Sequence, residues 1–547
     1  MPDRYDVVVV GAGLAGLVAT AELTAAGRHV LLLDQENRRS LGGQAFWSFG
    51  GLFLVDSPEQ RRLGVRDSAE LALADWLGSA RFDESDALGR AWATAFVEFA
   101  AGPMRAWLHG LGVRWFPLVQ WAERGGAYPG GHGNSVPRFH VTWGTGPGVL
   151  EPFVRALLDA RRAGLVDVRF RHRVTGLVTT DGRVTGVRGA VLAPDDASRA
   201  VPTSRAAVRP FAVAADDVLV ATGGIGADHA RVRELWPPSA GRLPHRMLSG
   251  VPDHVDGSGI AAARAAGAAV VHEERMWHYP EGVADHSPVW TRHGIRILPG
   301  PSSLWLDADG DRLPPPLFPG FDTLGALAHL TARGDDHSWF VCDRTILGRE
   351  FALSGSEQNP DLTGRDVRLL LDRLRPGAVG PVEAFARHSP DFLHAGTPED
   401  LAAAMNALTG AGRIDPAGLR ATIEARDAQV ASGLGKDPQL VAVRAARRYL
   451  VDRTMRVAAP HRLLDPLHGP LYAVRLSVLT RKTLGGLLTD TSGRVLRPDG
   501  SPLPGLWAAG EAAGFGGGGV HGHRALEGTF LGGCLFTGRT AGRALAR

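Results

Sequence analysis

"YDVVVVGAGLAGLVATAELTAAGRHVLLLDQE" occupies residues 5–36 and decides the fold. The apolar run Val7–Val10 has the composition of a strand buried on both faces, as parallel sheets require. Gly11, Gly13 and Gly16 follow in G-x-G-x-x-G spacing and open a helical pattern carried by Leu17, Ala21 and Leu23. Gly11 permits the tight turn, Gly13 admits a pyrophosphate to the backbone, and Gly16 lets helix and strand pack closely. Leu14 and Ala15 belong to the helix N-terminus, which presents about half a positive charge to phosphates. A second strand over 29–33 ends at Asp34 and Gln35, where a carboxylate can accept hydrogen bonds from a ribose diol. Strand, turn, helix, strand and terminal acid fall in register, so a dinucleotide-binding unit is expected.

The 547 residues allow two or three domains. A composition 44% hydrophobic and 21% charged is that of a soluble globular protein. The net charge of +3 reflects a slight excess of arginine, and the only lysines are Lys436 and Lys482. No Lys/Arg cluster marks a nucleic-acid footprint, so nucleic acid is not an expected partner. Cys342 and Cys534 offer neither a disulfide framework nor a CxxC site, and buried thiols in a reducing compartment are expected. No apolar window of 18 residues predicts a transmembrane helix. The N-terminus enters a strand without signal-peptide regions, which points to the cytoplasm.

The next segments favour flavin over a nicotinamide. "RRSLGGQAFWSFGGL" (38–52) places Gly42, Gly43, Gln44, Gly50 and Gly51 soon after Asp34, as if running beneath an extended cofactor. "VLVATGGIGAD" (218–228) adds a buried strand ending in Ala221, Thr222, Gly223 and Gly224, with Asp228 beyond. A NAD domain needs neither feature.

The order of these motifs resembles the flavoprotein superfamily of succinate dehydrogenases, soluble fumarate reductases and 3-ketosteroid dehydrogenases. The resemblance extends through "DGSGIAAARAAGA" (256–268), "TLGGLLTD…LPGLWAAGE" (483–511) and the glycine-rich run 508–533, which holds ten glycines. It implies an α/β (α+β overall) architecture: a Rossmann-like FAD-binding domain formed by 1–276 and 446–547, with a cap domain inserted over 277–445. It also implies that the C-terminus returns to complete the flavin site. Gly485, Gly486, Gly510 and Glu511 would lie against the cofactor, and Gly528, Thr529, Leu531 and Gly532 would begin a helix aimed at its ring. The backbone near Val174 would touch adenine. Membrane-bound relatives attach the flavin through a histidine six residues before their GG pair, and here that position is Gln44, so non-covalent FAD is expected.

Between these ends, "VDVRFRHRVTGLVTTDGRVTGVRGAVL" (166–192) alternates as strands do, with an Asp181-Gly182 hairpin turn. Residues 194–217 read as an exposed excursion, and helical patterns are expected around 365–375 and 417–431.

Flavin chemistry needs a proton carrier and a group to hold the substrate carbonyl. Arg524 aligns with the arginine that clamps a dicarboxylate in fumarate reductases; the alternative is a salt bridge across the glycine loop. Tyr472 stands where ketosteroid dehydrogenases polarise a 3-keto oxygen, or it is a core residue. "RKTLGG" (481–486) replaces the reductases' substrate histidine with Arg481 or Lys482, for proton transfer or for solvated surface. His278 and Tyr279 lie where the chain enters the cap, as catalytic groups or hinge packing. His521 and His523 have no third ligand spaced nearby, and no metal is expected. The cap element "GDRLPPPLFPG" (310–320) lacks the reductases' proton-donor arginine. Trp47, Phe49, Trp277 and Trp290 fit an apolar cavity. The reading is an FAD-dependent oxidoreductase acting on a C–C bond beside the carbonyl of a ketosteroid-like substrate, with an external quinone or redox protein as electron acceptor. A fumarate- or urocanate-type enoate reductase and a non-catalytic FAD-binding protein are the alternatives.

Overall fold

β1 (Arg4–Val10) lies inside an eight-stranded sheet, bonded in parallel to β2 (Val30–Leu33) on one side and to a long strand, Ala207–Val220, on the other. The structure is a computed structural model and describes residues 4–126, 131–373, 377 and 379–547. Val7–Val10 and Leu31–Leu33 are buried, as the unbroken apolar runs require of parallel strands covered on both faces. β3 (Val166–Arg169) extends the sheet beyond β2. β4 (Ala207–Val220) carries β5 (Pro502–Ala508), also parallel, so a strand from the far end of the chain joins the sheet begun by the first.

The helices repeat this closure. α1 (Leu14–Ala25) packs on α2 (Thr529–Leu545) with their backbones nearly touching. A Cβ on Gly538 would lie 2.5 Å from the Ala15 carbonyl oxygen, and one on Gly542 would lie 2.9 Å from that of Ala19.

The Asp181-Gly182 turn joins His172–Thr180 to Arg183–Leu192 as expected, with φ of 50° and 75° at its two central residues. The excursion expected over 194–217 ends sooner. β4 begins at Ala207, and its first residues pair with the hairpin strand while their side chains stay exposed. Ala207, Val208, Arg209 and Pro210 are all exposed, so no in-out alternation marks this backbone ladder in the hydrophobic pattern.

A second eight-stranded sheet runs through Leu304–Leu306, Ser338–Asp343, Leu471–Thr483, Met276–Ala284 and Gly294–Leu298, in that order. Leu471–Thr483 is thirteen residues, roughly 40 Å of extended chain. Its last residues pair with Met276–Ala284 beside the first sheet, and its first residues pair with Ser338–Asp343 within a separate apolar core. Around the expected helices, Pro416–Ser432 forms with Asp415 capping its first turn, and Val367–Asp372 forms; Leu374 and Arg375 of that expectation lie outside the described residues.

Candidate active site

The ends of β1, β2 and β4 open onto a cleft of about 1630 Å³, counting its mouth. Its floor begins at the β1–α1 turn. Gly11 has φ of +106°, and a Cβ there would lie 2.5 Å from the Ala221 carbonyl oxygen, so only glycine lets the two strand ends cross. A Cβ on Gly13 would meet nothing within 4 Å, which leaves bare backbone open to the cleft. Leu14 and Ala15 line the same end.

Asp34 is fixed at the edge of this floor. Its carboxylate accepts the Ala12 N–H and the Glu36 N–H, each at 2.8 Å, and burial pushes its pKa up. Gln35 and Val174 line the cleft nearby, and the Thr222 hydroxyl is buried there without a hydrogen-bond partner among the described residues. Gly43, Gln44, Gly50 and Gly51 form one side, Ala221 and Gly223 another, and Gly510, Glu511, Gly528 and Leu531 close it from the C-terminal segment. An orphaned hydroxyl, an anchored acid and a strip of side-chain-free backbone at a helix N-terminus together fit an extended dinucleotide.

Several residues expected at the cofactor support the cleft without lining it. Gly16 packs on the Gly11 carbonyl, and Gly42 faces Leu150. Gly224 abuts Thr483, while Gly485 and Gly486 abut the backbones of His272 and Ala512. Asp228 caps the short helix His229–Glu234. The Thr529 hydroxyl bonds the Leu526 carbonyl, and Gly532 makes room for Phe96. Backbone-on-backbone contact is the reason for most of these glycines.

Opposite the glycines the cleft wall is charged. Lys482 Nζ donates to Gln44 Oε1 at 2.8 Å, Gln44 Nε2 donates to Glu511 Oε2 at 2.6 Å, and Glu511 Oε1 accepts the Thr483 N–H at 2.9 Å. Burial holds the Lys482 ammonium below its usual pKa, with Glu511 opposing. Arg481 lines the cleft beside it and makes no ion pair among the described residues.

Tyr279 faces the cleft from Met276–Ala284, and the Arg296 guanidinium stands 3.9 Å from its ring centroid. Arg296 Nη1 donates to Glu527 Oε1 at 2.5 Å and Nη2 to the Thr323 hydroxyl at 3.0 Å; Nε lies 3.6 Å from Glu281. Burial opposes the Arg296 charge, but Glu281 and Glu527 outweigh it and raise its pKa. Burial also lifts Tyr279 well above its usual value, with Glu527 adding to it, so the phenol stays protonated. Glu281, fully buried, is pushed up to about 7 by the same desolvation.

Three of the five expected catalytic residues lie elsewhere. Arg524 does not line the cleft: its Nη1 binds both oxygens of Asp322, at 2.8 and 2.9 Å. The acid that neutralises it sits 202 residues away in sequence, beyond any spacing rule. Tyr472 pairs with Cys342 and His394 in the second core, ten residues up its strand from Lys482 and thus about 33 Å away. His278 points to the other face of its strand from Tyr279, stacks on Trp236 at 5.4 Å, and is pushed down to about 3 by burial. Of the four aromatics expected near the cavity, Phe49 lines it; Trp47 packs edge-on against Trp290, and Trp277 is buried in the core. Cys342 is buried as expected, but Cys534 faces the cleft, its thiol raised to about 12 by burial.

Arg296 and Glu527 were not singled out from the sequence, yet both left a trace there. Arg296 is a lone charge between Ile295 and Ile297 on a buried strand, and Glu527 immediately precedes the N-cap Gly528 of α2. Glu123, His132 and Asp322 also bring ligand-type atoms within 4.8 Å of one another. Their ligand atoms are already engaged: His132 Nε2 and the Thr323 N–H meet Glu123 Oε1, and Arg524 donates to Asp322. Among the described residues no helix is long and apolar enough to cross a membrane.

The FAD binding domain family model matches residues 6–531. A KsdD-like steroid dehydrogenase of Mycobacterium tuberculosis is 59% identical over 545 residues, which is 99% of this chain and 95% of that one. A KsdD-like steroid dehydrogenase of Mycolicibacterium smegmatis is 59% identical over 529 residues, 96% of each. In fold, the chain is similar to the 3-ketosteroid Δ1-dehydrogenase of Sterolibacterium denitrificans, with a TM-score of 0.67 at 18% identity over 99% of both chains. With a cleft built for the cofactor and a family match along nearly its whole length, the chain belongs to the FAD binding domain family and is an FAD-dependent oxidoreductase.

Proposed function

We propose that the protein dehydrogenates a C–C bond adjacent to the carbonyl of a ketosteroid-like substrate in the cytoplasm. The observation that carries this reading is the 59% identity, over 99% of the chain, to a protein named a KsdD-like steroid dehydrogenase. Non-covalently bound FAD would supply the hydride acceptor, and Gly11, Gly13, Asp34, Thr222, Gly510 and Glu511 would hold it. Gln44, an amide engaged by Lys482 and Glu511, cannot form the covalent bond a histidine would.

The chain's own contribution is to hold and move protons at a ketone. The Tyr279 hydroxyl, kept protonated by burial, donates a hydrogen bond to the carbonyl oxygen, where negative charge develops as the adjacent C–H bond weakens. Arg296 behind its ring and the unpaired Arg481 favour that charge. Glu527, an acceptor on the same wall, takes the proton from the carbon beside the carbonyl. Leu298, Phe139 and Phe530 exclude water from the ring system. Electrons leave to an external quinone or redox protein.

The enoate-reductase reading depends on Arg524 as a carboxylate clamp, and Arg524 is occupied by Asp322. Anaerobic mixing of the purified yellow protein with 3-ketosteroids tests the proposal. Stoichiometric bleaching of the flavin bands with formation of the desaturated steroid is expected; failure across a ketosteroid panel overturns it. Acid precipitation should release the FAD to the supernatant, and flavin retained in the pellet would overturn the non-covalent assignment.

A further inference from the structure

Beside the flavin cleft lies a second cavity of about 1810 Å³, counting its mouth. Arg344, Arg349, Arg373, Arg447, Arg453 and Arg456 all line it, and among the described residues no aspartate or glutamate does. His461 and His468, stacked 3.7 Å apart, add two imidazoles. Three of these groups are neutralised from behind: Arg344 by Glu383, Arg373 by Asp361 and His461 by Asp343. The other four guanidiniums, Arg349, Arg447, Arg453 and Arg456, form no ion pair among the described residues, although Glu350 and Asp452 lie near enough to favour the Arg456 charge. Arg349, Arg447 and Arg456 each spend one N–H on a carbonyl, those of Thr454, Val457 and Leu298, and the remaining donors of each planar fork stay available. Burial lowers the Arg349 and Arg456 pKa values, Arg447 adding to it at Arg349, while Asp452 and Glu350, which do not line the cavity, oppose it. Such an arrangement is stable when an anion completes it.

Two contacts tie this cavity to the cleft. Phe49 lines both. Leu298, whose carbonyl Arg456 holds at 2.8 Å, lines the flavin cleft. Phe49 thus stands between the two spaces, and a ligand spanning both would have to pass its ring.

We propose that the arginine cavity receives a multiply charged anionic tail, carrying phosphate or carboxylate groups, of the same substrate whose ketone ring occupies the flavin cleft. This rests on the ketosteroid reading above. The cleft selects the ring and the cavity selects the charge, so neutral ring ketones are incomplete substrates. Phosphate esters suit the site best, because several forked donors converge where a single carboxylate would satisfy one.

The test uses the full-length, FAD-loaded protein under anaerobic conditions and reads the rate of flavin bleaching. Three steroids share one 3-keto-4-ene ring system: one has a neutral side chain, one a side chain ending in a carboxylate, and one carries that acid as its coenzyme A thioester. The expected result is a kcat/KM at least tenfold higher for the thioester than for the neutral steroid, a preference that shrinks with added salt. The double variant R349Q/R453Q should bring the ratio close to one while its flavin absorbance reports an intact cleft. Inorganic pyrophosphate should compete with the thioester but not with the neutral steroid.

Equal kcat/KM for all three, or a ratio untouched by R349Q/R453Q, overturns the inference. So does competition by pyrophosphate against the neutral and charged steroids alike, which would mark an anion site independent of the substrate. Bleaching by none of the three overturns the ketosteroid reading itself, a result distinguishable from the others because the neutral steroid fails as well.

Discussion

The Arg296 guanidinium stands 3.9 Å from the centre of the Tyr279 ring while donating at 2.5 Å to Glu527. Cation, phenol and carboxylate thus occupy one wall of the cleft, each holding the next in place. Tyr279→Phe keeps the ring under Arg296 and removes only the hydroxyl. Flavin bleaching by substrate should slow by about 10²- to 10⁴-fold, the usual worth of a positioned proton donor, with the flavin spectrum unchanged. Stopped-flow absorbance checks this; an unaltered rate would move the donor role to another residue.

Two glycines two residues apart should fail in different ways. Gly11→Ala drives a methyl into the Ala221 carbonyl at a backbone angle unsuited to alanine, so the protein should lose several degrees in Tm or express poorly. Gly13→Ala has open space around its new carbon and should fold, but with that carbon projecting into the cleft it should retain less FAD. Circular dichroism melting together with the 450-nm absorbance separates the two. Normal cofactor content in Gly13→Ala would show that the pyrophosphate lies elsewhere.

Arg524→Gln should behave as a stability variant. The Arg524–Asp322 pair is mostly buried, and breaking it leaves Asp322 uncompensated, at a cost of about 1–3 kcal/mol. Thermal melts should fall accordingly, while the single-turnover rate stays within a few-fold of wild type. A loss of turnover comparable to that of Tyr279→Phe would return Arg524 to the substrate.

Acid should unfold the protein steeply. Burial pushes His140 and His229 down to about 4, and His278, His293 and His521 down to about 3. Between pH 6.5 and these values the unfolded chain binds protons that the native state refuses, so stability falls as pH falls through this window. Denaturant titrations at a series of pH values should give a slope of about three to five protons near pH 5. His521→Phe, which keeps the ring against Trp76, should reduce that slope by about one.

Glu281 works in the opposite sense. Its native pKa of about 7 exceeds the unfolded value, so from about pH 4.5 the unfolded chain ionises first and stability drains away as pH rises towards 7. The difference in Tm between Glu281→Gln and wild type should therefore grow in favour of the variant between pH 5 and 7.5, equivalent to about 2–3 kcal/mol. A pH-independent difference would mean that Glu281 is ionised throughout, clamped by Arg296.

The sheet that binds the dinucleotide was readable because its signals are local: an apolar run, three glycines, a helix period and an acid, all within residues 7–34. The return of the C-terminus was readable from glycines too dense for any surface tail. The charged wall was not, because Tyr279, Arg296 and Glu527 meet only through two sheets and the start of α2. Arg524 and Tyr472 misled for a related reason: position along the chain aligned them with known motifs, but Asp322 captures one and a long strand carries the other into a different core. Glycines at 224, 485 and 532, expected beside the cofactor, pack against Thr483, His272 and Phe96, contacts that no local spacing signals.

The seam between α1 and α2, where Gly538 and Gly542 admit the carbonyls of Ala15 and Ala19, also sets a timetable. A growing polypeptide emerging from the ribosome holds its first helix for some 500 residues before the partner that seals it is made. Contacts of such long range form slowly and late. The flank of the first helix that Gly538 and Gly542 cover therefore stays unsealed until the chain is nearly complete.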